Sequence, residues 1–274
     1  MYINRNKSIN PKTLKVLENL PELPSMPAVV SRAIEMLDDP NTNLNQLSDI
    51  LSKDVAITLQ ILKLVNSAYY SFPTRITTIN KALALLGFNS VKSLIMSVAM
   101  KPMMMSYAGR SLWVHSIRCA VGARHIAKSL RYGDPDEVFI MGLLHDIGKT
   151  IMLIKNKDAY PEVQKLVDIG ADVLETERTF YGFTHAEVGR ALVEKWNLPL
   201  MIGITAEHHH NPLGSQEVVG TSIIYVSDRI CQEKLKYPIF KQEIIDSLDY
   251  EISDPETLRQ EVFEMSQLII DALS

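Results

Sequence analysis

The chain has 274 residues, 46% of them apolar and 22% charged, with a net charge of −4 at pH 7. This is ordinary globular composition for one large domain or two modest ones, long enough to bury roughly 75% of the surface the unfolded chain exposes. The acidic balance argues against sequence-independent nucleic-acid binding; two cysteines are too few for a disulfide framework, and no run of about 18 apolar residues or secretory leader is read, so a reduced, soluble, cytoplasmic protein is expected.

Helical periodicity runs through nearly the whole chain. Val29, Val30, Ala33, Ile34 and Leu37 recur at helical spacing until Asp39-Pro40 stops them, because the residue before proline is pushed out of the α region. Leu44, Leu47, Ile50 and Leu51 form a second stripe. Val55–Tyr69 forms a third, with Leu59, Leu62 and Val65 expected to face inward. Ile79–Leu86 should end at Gly87 as a C-cap, Ser90 should cap Val91–Met100, and Lys101-Pro102 should close that segment. Met103 to Met105 read as core filler. Further helices are predicted over Leu112–Leu130, Pro135–Asp146, Tyr160–Ile169, Val173–Tyr181, Ala186–Trp196, Leu200–His209, Glu217–Ile230 and Pro255–Leu273. Residues 241–274 carry a net charge of −7, read as the solvated face of a terminal helical extension. The prediction is an all-α, two-lobed bundle divided near Pro102–Gly109.

The chemistry lies in the histidines: His115, His125, His145, His185, His208, His209 and His210. His145-Asp146 ends an apolar helix within Met-Gly-Leu-Leu-His-Asp-Ile-Gly-Lys149, which brings Lys149 to the same helix end. An adjacent imidazole and carboxylate can share one cation, and the carboxylate can bridge to a second. His115, His185 and the triplet His208–His210 could stand around that pair. Asp228, behind the apolar run Ile-Ile-Tyr-Val-Ser, must find a cation or donors if it is buried. Mixed His/Asp ligation without thiolate suits one or two Fe or Mn ions, with Mg, Ni or Zn as alternatives. Two such ions would polarise a phosphoryl group and generate a hydroxide nucleophile at neutral pH, with Lys149 holding a phosphate oxygen. His125 lies about 15 Å along its helix from His115 and cannot share a metal with it.

These residues resemble the HD superfamily of metal-dependent phosphohydrolases, and the ligand pattern is closest to its HD-GYP branch. The resemblance implies His115 as the first helical ligand, His145-Asp146 as the doublet, Lys149 as the lysine of HDxGK, and His185 as the next ligand. The paired histidines are then His209-His210 or His208-His209, and Asp228 is the last acid. It also implies catalytic roles for Asp146 and Lys149.

The first half is similar to the HDOD domain of bacterial signalling: Leu-Pro-Glu-Leu-Pro-Ser-Met-Pro27, the segment from Asp54 through Asn66-Ser67-Ala68-Tyr69-Tyr70, Ile76-Thr-Thr-Ile-Asn-Lys-Ala82, and Leu85-Leu-Gly-Phe-Asn-Ser-Val91 follow in order. The resemblance implies an HDOD domain over residues 14–235, with an N-terminal lobe at 14–105 and an HD-like metal-site lobe at 106–235, before an acidic extension at 236–274. HDOD domains often lack several ligands; this chain keeps a nearly complete set. Two departures separate it from HD-GYP enzymes. Asn-Pro-Leu-Gly-Ser follows His210 in place of their Gly-Tyr-Pro signature, and Ser111 stands where a third metal would need glutamate. The expected function is a signal-transduction module with a dinuclear metal site and a signalling protein partner. The alternative is a phosphohydrolase acting on a phosphorylated small molecule or nucleotide. No membrane partner is expected.

Overall fold

The structure, a computed structural model, describes residues 15, 16, 18, 25–107, 109–232, 240–249, 252 and 254–274. Residues 20–24 of the opening proline motif and 236–239 of the expected extension lie outside them. Every regular element among the described residues is helical. In the first lobe α1 (Ala28–Leu37), α2 (Leu44–Ser52) and α3 (Val55–Val65) pack on the long α4 (Ile79–Tyr107). Their starts are written in the sequence. Asn43 accepts hydrogen bonds from the amides of Asn45 and Gln46, and Asp54 accepts one from Ile57, so each satisfies donors that a helix N-terminus leaves open.

The second lobe is built on α5 (Gly109–Leu130), which packs against α6 (Pro135–Leu144), α12 (Val218–Cys231) and α14 (Pro255–Leu273). Between these come α7 (Gly148–Lys155), α8 (Ala159–Asp168), α9 (Val173–Tyr181), α10 (His185–Lys195) and α11 (Leu200–His208); the short α13 (Gln242–Asp246) precedes α14. One large apolar core runs from Met26 to Leu273 through both lobes, with a small satellite of Val65, Ile76 and Ala82 in the first. A polar relay also joins them. Arg124 on α5 donates to the Tyr69 hydroxyl at 2.9 Å and pairs with Asp136 on α6 at 2.8 Å, while Ser90 on α4 donates to the same carboxylate at 2.6 Å.

Several expectations are corrected. Val65 is buried as expected, but Leu59 is exposed, and α3 buries Ile57, Ile61 and Leu64 alongside Val65. The helix is apolar nearly all round, so its periodicity does not choose a face. Pro102 lies inside α4, which continues to Tyr107 because the fully buried Met100 and Met104 hold it to the core across the proline. Ser90 spends its hydroxyl on Asp136 rather than on a cap. Gly87 does break the helix, with φ +76°. Helices α7 and α13 were not anticipated. The stretch Ile79–Ser106, with mean hydropathy 1.6, is long and apolar enough to cross a membrane by length and composition, yet 61% of that window is buried inside the fold, as in a core helix.

The acidic terminal helix docks. α14 buries Leu258, Val262, Ile269, Ile270 and Leu273 against α3, α5 and α12, and turns Glu261, Glu264 and Asp271 to solvent. Arg118 lies over the Phe263 ring, and Arg259 donates to the Ile230 carbonyl at 2.9 Å.

Candidate metal centre

Four helices and the turn between α6 and α7 converge on one buried point. His145 and Asp146 occupy that turn, His115 sits on α5, and His185 is the first residue of α10. His209 and His210 follow the end of α11, and Asp228 lies on α12. Local sequence fixes these placements. Thr184 and Glu187 form a capping box that starts α10 at His185. Gly148 permits α7 to cross α10 closely, since a Cβ there would lie 1.9 Å from the His185 carbonyl oxygen. Gly142 does the same for α6 against the backbone of Cys119 and Ala120.

Asp146 divides the cluster. Its Oδ2 faces His145 Nε2 at 3.3 Å and His115 Nε2 at 3.5 Å, and Asp228 Oδ1 approaches His115 Nε2 at 3.1 Å. Its Oδ1 faces His185 Nε2 at 3.3 Å and His209 Nε2 at 3.6 Å. His185 Nε2 stands 3.3 Å from that of His209 and 3.0 Å from that of His210. Two ligand-sized groups result: His115, His145 and Asp146; and His185, His209 and His210. Lys149 pairs with Asp146 Oδ2 at 2.6 Å. His115 and Lys149, each with a side chain 21% exposed, mark the open side; His145 and His185 are fully buried.

Tautomers decide what this arrangement accepts. A carbonyl oxygen can only accept, so the Nδ1 atoms of His145 and His209, 2.7 Å from Gly142 O and 2.8 Å from Ala206 O, carry the protons. His185 Nδ1 faces both oxygens of Glu177 at 2.7 Å. With the proton on Nδ1, His209 Nε2 faces His185 Nε2 at 3.3 Å and His145 Nε2 faces a carboxylate oxygen of Asp146 at 3.3 Å, positions that a shared cation would satisfy. His145 Nε2 and Asp146 Oδ1 are buried without a hydrogen-bond partner among the described residues. Burial, followed by the surrounding imidazoles, lowers the pKa of His209, and burial and His185 lower that of His210 to about 3, which keeps both neutral near pH 7. Burial opposes the ionised form of Asp146, yet Lys149, His145 and His185 hold its carboxyl well below the usual range. Burial lowers the pKa of His145, but Cys119 and Asp146 raise it well above normal, so the spot favours positive charge. The donor set fits divalent cations.

The sequence profile of the HDOD domain matches residues 23–212. The chain belongs to the HDOD domain family. A Treponema pallidum protein without an assigned role is 33% identical over 230 residues, covering 77% of this chain and 43% of that protein, so the chain spans under half of its relative's length. The crystal structure of an HDOD domain protein of unknown function from Geobacter sulfurreducens superposes with a TM-score of 0.77 at 24% identity, covering 95% of this chain and 97% of that one. A protein from Shewanella amazonensis SB2B, provisionally named a phosphohydrolase, gives 0.78 at 20% identity and covers 96% and 98%. These likenesses establish the fold.

Within this HDOD fold, His208 stands apart, its side chain 33% exposed and 3.9 Å from Glu207. His125 reaches Glu261 at 3.8 Å on the outer face. Asp228 lies beyond the stretch matched by the HDOD profile. Asn66 pins the loop after α3: its amide donates to Leu62 O and Ile76 O at 2.7 Å, and its oxygen accepts from Ile76 N at 2.7 Å. Glu177 was missed by sequence reasoning. Its signal was available, because Val173, Glu177 and Tyr181 share one helical stripe. An acid between two apolar positions needs a partner.

Proposed function

We propose that this HDOD protein is a bacterial regulatory module built around a dinuclear divalent-metal centre, acting on a signalling protein partner in the cytoplasm. The observation that carries the reading is the two-sided environment of Asp146, one oxygen toward His115 and His145 and the other toward His185 and His209. His115, His145, Asp146 and Asp228 would hold one ion. His185, His209, His210 and the other oxygen of Asp146 would hold the second. Iron and manganese suit the mixed imidazole and carboxylate donors best. Purified protein is expected to carry one or two transition-metal ions per chain, on the order a dinuclear site requires, and H145A/D146A to carry none. Wild-type protein that stays metal-free after reconstitution with iron or manganese would overturn the reading.

Lys149 favours a second reading, hydrolysis of a phosphate ester in a small molecule or nucleotide. Divalent ions would supply Lewis acidity and lower the pKa of water. The chain's own part would be Lys149, charged because Asp146 raises its pKa against the opposing effect of burial, placed on the open side to bind a phosphate oxygen. A panel of phosphomonoesters and phosphodiesters separates the readings. Turnover by wild type that is lost in K149M supports hydrolysis, and inactivity of the metal-loaded protein supports the module.

A further inference from the structure

The two halves of the centre are unequal in charge. The half containing His115 and His145 has two carboxylates, Asp146 and Asp228, whereas the other half offers three imidazoles and only the far oxygen of Asp146. One further anion stands behind that second half. Glu177, 1% exposed, accepts from the His185 backbone amide at 2.8 Å and faces its Nδ1 with both oxygens at 2.7 Å. It is the only acid among the described residues paired with His185 Nδ1. His145 and His209, by contrast, are oriented by neutral backbone carbonyls.

We infer that Glu177 is a positioning residue that sets the occupancy of the His185–His209–His210 half of the centre. It fixes the His185 tautomer with Nε2 free, holds the ring against α9, and lends negative charge that strengthens Nε2 as a donor. Partners of this kind change metal affinity by about 10–100-fold. Without Glu177 the protein becomes a one-ion binder while its fold and its other half-site persist. This inference rests on the dinuclear reading above, and the two can fail separately.

The test is stepwise titration of chelator-stripped full-length protein with Mn²⁺, following bound metal by elemental analysis and the coupled two-manganese signal by electron paramagnetic resonance. Wild type should bind two ions and show coupling. E177Q, with far-UV circular dichroism unchanged, should keep the first binding step and weaken the second by about 10–100-fold, losing the coupled signal. E177D should restore part of the second step. A second step in E177Q equal to wild type, or equal weakening of both steps, overturns the role of Glu177 and leaves the dinuclear reading intact. Wild type that binds no Mn²⁺ overturns the dinuclear reading itself. Should E177Q fail to fold, E177D decides: a second step weakened less than tenfold but measurably supports the role, and wild-type affinity at both steps refutes it.

Discussion

At the scale of single residues, the fold spends buried polar groups in two ways. Some are sealed by hydrogen bonds, as the Ser227 hydroxyl is on the Cys119 carbonyl at 2.8 Å; others, as at Asp146, are held facing one another around a common point. The half-buried Tyr69 and Tyr70 and the buried Tyr181 are a separate case, apolar rings whose hydroxyls resist ionisation. Burial raises the pKa of Tyr69 and Tyr70, and it raises that of Tyr181, whose hydroxyl donates to Asn156 O at 3.0 Å, to about 12. A group with a folded pKa above its unfolded value contributes full stability below the unfolded value, here 10, and loses it as pH rises through the folded one. Thermal melts should therefore show stability falling between about pH 10 and 12, and Y70F/Y181F should lose less over that window; equal losses would refute this account. The clustered histidines and aspartates were legible as candidate ligands because their types are rare and their order resembles a known pattern. Glu177 was not, because glutamate is common on helices and its partner lies on another element.

At the scale of elements, close crossings set the geometry. Gly148 is the tightest of them, since a methyl group there would strike backbone rather than a movable side chain. G148A should push α7 from α10, destabilise the protein by about 1–3 kcal/mol or more through overpacking, and lower metal content, both measurable by urea denaturation and elemental analysis. Wild-type stability would show that the crossing relaxes freely. Helix existence and most boundaries were readable from periodicity and caps, and Pro255–Leu273 has the limits its sequence announced. The face of α3 was not readable, because Val-Ala-Ile-Thr-Leu-Gln-Ile-Leu-Lys-Leu-Val offers apolar residues in almost every direction. Pro102 misled for a related reason. Burial of Met100 and Met104 outweighs the hydrogen bond that proline cannot donate.

At the scale of the whole molecule, one core spans both lobes and the terminal helix. α14 is part of the fold's support for α5, the helix that carries His115. V262D, which places a charge at a fully buried position between α14 and α5, should destabilise the protein by several kcal/mol. It should also shift the whole unfolding transition rather than one segment, as urea melts followed by fluorescence and circular dichroism would show. An unchanged midpoint would mean that α14 is only appended. The charge shift after residue 240 was visible in composition and its acids read as a solvated face, but composition could not say that the helix docks through a continuous apolar stripe.

The gathering of His115, His145, Asp146, His185, His209, His210 and Asp228 from separate helices has a consequence for inheritance. No short segment carries the centre, and recombination within residues 115–228 would divide its parts between two products. On the dinuclear reading proposed above, a lineage could acquire the centre only by receiving that entire stretch, and each of the seven positions would be a place to lose it.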